Sequence, residues 1–394
     1  MNKLARTMMA LAMTTTMLTG CGGKTESTPS TSAETQKKTE AASEAKETEA
    51  TTTEAESQKK TEATSEAKET KSTSVDVAGD AAYELNLGCI ANDPASADKY
   101  NANGYAIREF ADKVSEYTNG QVKINIHWGG VLGSNVSMFD EVMMGSLDFH
   151  VGQPMSSADP RFAAWSLPFV YDNYDEVYAA NNRETGGVFA LSSQWMEEND
   201  VKLLAMGTGS FRGFISNKEI HTPEDAHDLK IRTYEDALVN HFWGNVGTAS
   251  IIPGSEIYSA MQTKTVDAME FHATGVYAYK MYEVAKYYAP LNWQNTAGTI
   301  LSCSMQTWDS LPADIQESIQ KAADEYAEFQ RDHIKEDEKT VFQALSDEGM
   351  TIVELSDSDI QAWHDLSDSM TDFFKEYVGA DVYDAFMDAV AASK

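Results

Sequence analysis

Positive charge is scarce in this sequence. Its 394 residues contain 30 lysines and arginines against 62 aspartates and glutamates, for a formal charge of −32. Nucleic-acid backbones and anionic membrane surfaces are bound by clustered cations, so this composition argues against both as partners. Solubility alone is a sufficient explanation of an acidic surface. A ligand that is itself an anion would need a local positive site.

The sequence also lacks the patterns of common catalytic sites. None of its eight histidines falls in a His-Glu-x-x-His zinc pattern, and neither Gly-x-Ser-x-Gly nor Gly-x-x-x-x-Gly-Lys occurs. Ser318 and Lys321 match Ser-x-x-Lys, but they lie within a predicted helix without the accompanying motifs, so we interpret the match as chance. We expect no catalytic residue, no cofactor and no metal ion.

Cysteine is rare, with three in the chain. Cys89 and Cys303 each lie in an apolar, strand-like run. Their spacing leaves a disulfide open, but free cysteines in such runs are usually buried. We expect two separate buried thiols.

Long hydrophobic runs are missing apart from one near the start. Two cations precede an apolar run from Met8 to Leu18, which is too short to span a bilayer and is typical of an export signal over residues 1–20. The run ends in Leu18-Thr19-Gly20-Cys21, which resembles the lipobox of bacterial lipoproteins and implies lipidation of Cys21. An ordinary signal peptide followed by a chance cysteine is the alternative.

Residues 21–80 hold almost no large apolar side chain and consist mostly of threonine, serine, glutamate, lysine and alanine. Such a segment does not bury enough surface to offset the entropy of ordering. We interpret it as a disordered tether between a lipid anchor at Cys21 and a folded part that begins near Tyr83.

Hydrophobic periodicity in the folded part predicts the alternation of strands and helices that is typical of an α/β fold. Residues 83–87 and 122–128 alternate as strands do, and between them 105–117 has an apolar face with helical spacing. We expect this strand–helix–strand unit to form a right-handed parallel crossover. Residues 175–198 are predicted as one helix, and a helical period from Pro312 to about Leu345 is longer than one domain needs.

Two arginines follow predicted strand ends in the middle of the chain. Arg212 lies in the glycine-punctuated segment 207–213, and Arg232 ends the alternating run 229–232. A guanidinium stays charged when it is buried and holds both oxygens of a carboxylate through its planar fork. From the residues alone, each arginine is a candidate for binding a carboxylate, for capping a helix or for pairing with a surface acid.

Short motifs are spread from about Tyr83 to the C-terminus. They are Phe110–Val114, Thr118–Gly120, Leu132–Gly133, Gly145–Asp148, Leu167–Phe169, Thr222–Asp225, Leu229–Arg232, Gly247, Glu256–Tyr258, Ala260–Thr263 and Val266–Asp267. In order and spacing this set resembles the solute-binding proteins of tripartite ATP-independent periplasmic (TRAP) transporters, of the DctP type.

The resemblance implies a two-lobed α/β fold of the periplasmic-binding-protein type. Its sheets are parallel or mixed, a ligand cleft lies between the lobes, and a long helix bridges them. We expect the first lobe at residues 83–209 with 298–337, and the second at residues 210–297 with 338–394.

The resemblance also implies a ligand site. In that family the arginine of the Lys-x-Arg element pairs with the ligand carboxylate and a second arginine twenty residues earlier assists; here these are Arg232 and Arg212. Trp293 and Asn292 either close the cleft or pack beneath it. The other lining residues matched by spacing are Ile90, Ala91, Asn92, Gln153, Ser255, Phe271 and His272.

One position of this predicted site departs from the common family pattern, and another is similar to a particular branch of the family. Relatives often carry asparagine or proline where this chain has His272, which leaves open what the polar end of the ligand meets. Glu270 followed by Phe271 is similar to the keto-acid-binding branch, in which a metal ion joins the ligand. We do not expect a metal ion here.

Together these features predict a monomeric, lipid-anchored receptor outside the cytoplasm. As the resemblance implies, it binds a small organic acid, closes around it and delivers it to a TRAP-type permease. A ligand-binding receptor for a membrane sensor kinase is one alternative, and a secreted enzyme on the same scaffold is a less favoured one.

Overall fold

The computed structural model of the protein describes residues 81–96, 99–295 and 299–394. The predicted export signal, the lipidation site Cys21 and the tether lie outside the described residues. Strands occupy Tyr83–Cys89 (β1), Val122–His127 (β2), Phe149–Val151 (β3), Val201–Met206 (β4), Arg212–Ser216 (β5), Lys230–Thr233 (β6), Thr248–Ile251 (β7), Ala268–His272 (β8), Tyr287–Ala289 (β9), Ile300–Ser304 (β10) and Thr351–Ile352 (β11).

Helices account for most of the remaining regular structure. They occupy Ala102–Tyr117 (α1), Asn135–Met143 (α2), Tyr174–Asn181 (α3), Gly187–Glu197 (α4), Ala237–Val246 (α5), Ile257–Gln262 (α6), Ala273–Ala278 (α7), Met305–Ser310 (α8), Ala313–Asp347 (α9), Asp357–Asp368 (α10), Thr371–Val378 (α11) and Ala380–Ala391 (α12). Among the described residues, no helix combines the length and the apolar character that crossing a membrane requires.

A five-stranded mixed sheet forms the first lobe, in the order β2-β1-β3-β10-β4. β1 runs parallel to β2 and β3, and α1 connects β1 to β2 as the sequence predicts. β10 returns late in the chain and pairs antiparallel with both β3 and β4. Leu87, Phe110, Phe149 and Leu301 lie in the apolar core that α1 and α9 cover.

A six-stranded mixed sheet forms the second lobe, in the order β11-β9-β5-β8-β6-β7. β6 is parallel to β7 and β8, whereas β5 is antiparallel to β8 and β9. The order brings β5, β8 and β6 side by side. Both predicted arginines therefore lie on strands that flank β8.

The 35-residue helix α9 contacts both lobes. It packs against α1 in the first lobe and against α7 in the second. At 1.5 Å per residue its length is about 52 Å. Tyr326 is buried in the first-lobe core and Val341 in an apolar cluster of the second lobe, so the predicted bridging helix is confirmed.

The single helix predicted over residues 175–198 is wrong, because the chain breaks it into α3 and α4. The Asn182 side chain accepts hydrogen bonds from the backbone N–H groups of Glu184 and Thr185, at 3.0 Å each. This local turn competes with the helical backbone pattern. Gly186 then leads into α4.

The C-terminal helices pack on a separate apolar region. α11 and α12 contact the 3-10 helix Pro160–Ser166, and α12 also contacts α3 and α4. Phe374 and Phe386 are buried in this cluster. The residue boundaries of the two lobes stay a prediction.

Cys89 and Cys303 are free, buried thiols, which confirms the expectation of two separate cysteines. They lie on β1 and β10, and β3 separates these strands in the sheet. Burial raises the pKa of Cys89 to about 12 and raises that of Cys303 well above its ordinary value.

Candidate functional site

Three neighbouring strands bring two arginines and one glutamate together. Arg212 is the first residue of β5 and lies directly opposite His272, the last residue of β8, and Glu270 lies two residues before His272. Side chains two residues apart on a strand share a face, so Arg212 and Glu270 are diagonal neighbours. Arg232 lies on β6, on the other side of β8, opposite Met269.

Arg212 forms a buried ion pair with Glu270. Its Nη2 donates to Oε1 at 2.8 Å, Nε donates to Oε2, and Glu270 has no exposed surface. Burial acts to lower the pKa of Arg212, but the Glu270 carboxylate outweighs burial and the pKa lies above its ordinary value. The positive charge of Arg212 is therefore neutralised by the negative charge of Glu270.

Arg232 is buried without such a partner. Its Nε donates to the Ile252 carbonyl at 2.9 Å, and 5% of the residue is exposed. Within residues 81–96, 99–295 and 299–394, neither terminal nitrogen of Arg232 has a hydrogen-bond acceptor and no carboxylate lies within ion-pair distance. Burial lowers the pKa of this guanidinium. A buried cation in this state is costly, typically by several kcal/mol, unless an anion joins it.

Tyr234 links the two arginines, although sequence reasoning missed it. Its ring centroid lies 5.7 Å from the Cζ of Arg212 and 5.7 Å from the Cζ of Arg232. Cations favour this position over an aromatic face. Its position in the sequence could have indicated this role, because Tyr234 follows Arg232 by two residues at the end of the alternating run.

His272 is the N-cap residue of α7. Its Nδ1 accepts a hydrogen bond from the backbone N–H of Gly275 at 2.9 Å. Burial, with a smaller contribution from Arg212, lowers the pKa of His272 to about 3. The imidazole is therefore neutral near pH 7 with its proton on Nε2, so it offers one N–H donor and no charge.

Gln153 belongs to a buried hydrogen-bond chain that joins the lobes. Its Nε2 donates to Ser166 Oγ at 2.9 Å, and Ser166 Oγ donates to Asp236 Oδ2 at 2.6 Å. Asp236 also accepts from the Val239 N–H at 3.0 Å and so caps α5. Sequence reasoning missed Ser166 and Asp236. Asp236 directly precedes the apolar period of α5, which is the position of a helix N-cap and could have identified it.

The segment after β1 carries three of the predicted residues. The Ala91 carbonyl accepts from Gly129 N–H at 2.9 Å, and the Asn92 carbonyl accepts from the Asn101 side chain at 2.9 Å. Both residues are partly exposed, and Ile90 is 51% exposed. Gly129 has a φ of 64°, a backbone conformation that glycine adopts without strain.

The remaining predicted residues fall into different environments. Phe271 is half-buried, with its ring centroid 5.5 Å from the Cζ of Arg212, whereas Ser255 is exposed in a 3-10 turn. Trp293 has no exposed surface and stacks on Phe242 at 5.5 Å. Trp293 therefore lies in an apolar core cluster. Asn292 is exposed.

Glu270 is engaged by Arg212 in the position where the keto-acid branch would use it for a metal ion. In the described part of the chain, no group of three or more His, Cys, Asp or Glu side chains is arranged to hold a metal ion. The ion pair is a sufficient physical reason for a carboxylate to be buried here.

Two surface cavities lie elsewhere. One of about 320 Å³ is lined by residues that include Tyr178, Arg183 and Arg331, and one of about 550 Å³ by residues that include Phe169 and Asn292. Neither includes Arg212 or Arg232. Both guanidiniums have low exposure, so charge and hydrogen bonding, and not a cavity volume, make the two arginines the candidate site.

The family model described as bacterial extracellular solute-binding protein, family 7, matches residues 95–377. The C4-dicarboxylate-binding periplasmic protein DctP of Rhodobacter capsulatus is 25% identical over 295 residues, which cover 73% of this chain and 87% of that protein. The family match includes every strand of both sheets except β1.

Solved structures with the same fold include a TRAP periplasmic solute-binding protein from Sulfurospirillum deleyianum with bound succinate. Its TM-score is 0.70 at 22% identity, over 80% of this chain and 100% of that one. The sugar-acid-binding protein DctPAm from Advenella mimigardefordensis, in complex with galactonate, has a TM-score of 0.71 at 21% identity, over 79% and 98%. These likenesses confirm the predicted two-lobed fold.

Proposed function

Because the chain belongs to bacterial extracellular solute-binding protein family 7, whose members are transport receptors and not enzymes, we propose that it captures a small organic acid in the cleft between its lobes. The acid is then delivered to a TRAP-type permease. The observation that carries the ligand class is Arg232, a buried guanidinium whose two terminal nitrogens have no acceptor among the residues that the structure describes.

A carboxylate is the ligand group that this guanidinium favours. Two parallel N–H donors match the two carboxylate oxygens, and the pair forms in surroundings from which water is largely excluded. Both solved neighbours described above hold an acid, succinate in one and galactonate in the other. Their likeness supports the fold, and the charge of Arg232 supports the proposed ligand class in this chain.

The proposed site gives each remaining residue a role. Arg212 holds Glu270 and supports the Tyr234 ring below Arg232, His272 offers an N–H donor, and Gln153 reaches from the first lobe. Asn92, Ala91, Ser255 and Phe271 are proposed as more distant lining, and Trp293 as packing beneath. Binding would favour the closed arrangement, because it alone lets groups of both lobes contact the ligand.

We propose further that the protein acts as a monomer held at the outer side of the membrane by lipid on Cys21. The polar segment 21–80 would serve as the tether that lets the receptor reach its permease. Its composition supports this proposal, because few apolar side chains are present to form a core. A receptor for a membrane sensor kinase would bind its ligand in the same way. A permease gene or a sensor-kinase gene beside the gene of this protein would distinguish the two partners.

A thermal-shift screen of the purified mature protein against small organic acids tests the ligand class. A ligand at 100 times its Kd adds about 2.7 kcal/mol to the free energy of unfolding, so a true ligand raises the Tm clearly. Calorimetry on each positive acid then measures its Kd. The proposal is wrong if neutral sugars or amines stabilise the protein and no carboxylate does.

A further inference from the structure

We propose that the ligand site is built for a single negative charge: it takes a monocarboxylate whose remaining groups are uncharged, and it excludes dicarboxylates. This inference rests on the proposed function, since it assumes that Arg232 holds the ligand carboxylate. It goes further by assigning the charge of the whole ligand.

The charges around Arg232 leave one positive charge to be balanced. Arg212 and Arg232 contribute two positive charges, and Glu270 contributes one negative charge that Arg212 already engages at 2.8 Å. One carboxylate on Arg232 therefore balances the charges of these three side chains. A second carboxylate would leave a net negative charge in surroundings that exclude water, which is strongly unfavourable.

No second buried cation is available for another carboxylate. In the described ranges 81–96, 99–295 and 299–394, Arg212 and Arg232 are the buried members of the lysines and arginines. Arg108 on α1 has a side chain 42% exposed and is already paired with Asp93, which follows β1. Among the residues that the structure describes, no other lysine or arginine is as buried as Arg232.

Asp236, the N-cap of α5, is a further buried acidic group. Asp236 is 4% exposed, and its carboxylate accepts from Ser166 Oγ at 2.6 Å and from Val239 N–H at 3.0 Å. Through Ser166 it connects to Gln153, which is proposed to line the cleft. A second ligand carboxylate near Gln153 would meet this carboxylate, whereas a hydroxyl group would not be repelled.

Uncharged donors and apolar surface complete the site. His272 is a neutral donor through Nε2, because burial lowers its pKa to about 3. Tyr234 carries a phenol, while Phe271 and Ile90 offer apolar contacts. These groups suit hydroxyl, carbonyl or short hydrocarbon parts of a ligand.

The experiment compares pairs of acids that share a carbon skeleton and differ by one carboxylate. Suitable pairs are gluconate with glucarate, galactonate with galactarate, and butyrate with succinate. Calorimetry on the full mature chain measures both Kd values of each pair. We expect the best monocarboxylate to bind at least 100-fold more tightly than its dicarboxylate counterpart.

The variant Glu270→Gln removes one buried negative charge and should shift the ratio of the two Kd values at least tenfold toward the dicarboxylate. Asp324→Asn, which removes an acid paired with Arg183 on the surface, is the control and should leave the ratio unchanged. If Glu270→Gln does not fold, the Kd values of the matched acids for the wild-type protein still test the inference.

A dicarboxylate that binds wild type as tightly as its monocarboxylate partner overturns this inference and leaves the proposed function standing. Binding of no acid from either class overturns the proposed function, and this inference with it. Selectivity for monocarboxylates together with an unchanged ratio in Glu270→Gln overturns the charge-balance explanation.

Discussion

Arg212 and Glu270 lie diagonally across an antiparallel strand pair, and their side chains are joined by two charge-assisted hydrogen bonds in a place with almost no exposure. This pairing decides the roles of the two arginines. Because Arg212 is paired with Glu270, we propose that the buried charge available to a ligand is that of Arg232, on the opposite side of β8.

Replacing Arg232 should affect binding most strongly. Arg232→Ala leaves the ligand carboxylate alone in the closed cleft, and we expect binding to weaken by roughly 3 kcal/mol or more. Arg232→Lys should recover only part of this loss, because an ammonium is a point charge without the planar fork. Calorimetry with the acid found by screening measures both values.

The control for Arg232 is Arg183→Ala, which removes an exposed arginine paired with Asp324 and should leave Kd unchanged. Wild-type affinity in Arg232→Ala would contradict the assigned carboxylate site.

Breaking the Arg212–Glu270 pair should destabilise the fold. Arg212→Met and Glu270→Gln each leave a buried partner unpaired, so we expect each to lower the free energy of unfolding by roughly 3–5 kcal/mol. The double variant should lose less than the sum, because no buried charge is left alone. Urea denaturation of the four proteins measures the coupling.

A surface ion pair serves as the comparison for this cycle. Arg183→Gln should cost no more than about 1 kcal/mol, since exposed pairs contribute little. Additive effects of Arg212→Met and Glu270→Gln would mean that the two side chains do not depend on each other.

Local features were predictable from the sequence, because they depend on neighbouring residues. The helix expected at 105–117 is α1, Ala102–Tyr117, and the long period from Pro312 is α9, Ala313–Asp347. Both have an apolar face that continues over several turns. The ligand-binding role of Arg232 was implied by the family resemblance and stays a prediction; the structure shows that Arg232 is buried.

Pairings between distant segments were not predictable in this way. Arg212 and Glu270 are 58 residues apart, and nothing in the residues near Glu270 distinguishes an ion-pair partner from a metal ligand. β10 joins the first sheet antiparallel between β3 and β4, a register set by the packed sheet and not by its own alternation. The burial of Trp293 also depends on such packing.

Acid should destabilise the protein through His150. This residue lies on β3 with no exposed surface, both ring nitrogens lack a hydrogen-bond partner in the described part of the chain, and burial lowers its pKa to about 3. The unfolded chain, with a histidine pKa near ~6.5, binds more protons below that pH. Stability therefore falls as pH decreases from about 6.5 toward 3, by up to about 1.4 kcal/mol per pH unit for this group.

Denaturation at a series of pH values tests the role of His150. His150→Leu should reduce the slope between pH 6 and 4, whereas His227→Gln, at a side chain 71% exposed, should not. His272 has the same sign of effect, because its pKa is also lowered to about 3, so part of the slope should persist in His150→Leu. An identical slope in wild type and His150→Leu would contradict the assignment.

The two buried thiols should be unreactive in the folded protein. Burial raises the pKa of Cys89 to about 12, and the thiolate is the reactive form. In a Cys21→Ser background, we expect a thiol reagent to label neither Cys89 nor Cys303 until denaturant is added. Ser255→Cys, at an exposed position, should label at once, and labelling of Cys89 at the same rate would contradict its burial.

Cys21→Ser should release the protein from membranes, because no acyl chain would then anchor it. Ligand affinity should be unchanged, since residue 21 lies far along the chain from Arg232. Cell fractionation with calorimetry of the released protein measures both properties. Continued recovery in the membrane fraction would count against the lipid anchor.

The surplus of carboxylates has a kinetic consequence for the receptor. Residues 81–394 contain 49 aspartates and glutamates and 20 lysines and arginines, and in the described part the buried acids are Asp159, Asp236 and Glu270. An arriving anion must therefore move against a repulsive field before Arg232 can attract it at short range. Dissolved salt screens this repulsion, with a screening length of about 10 Å at 0.1 M. The association rate constant of the anionic ligand should therefore increase with ionic strength.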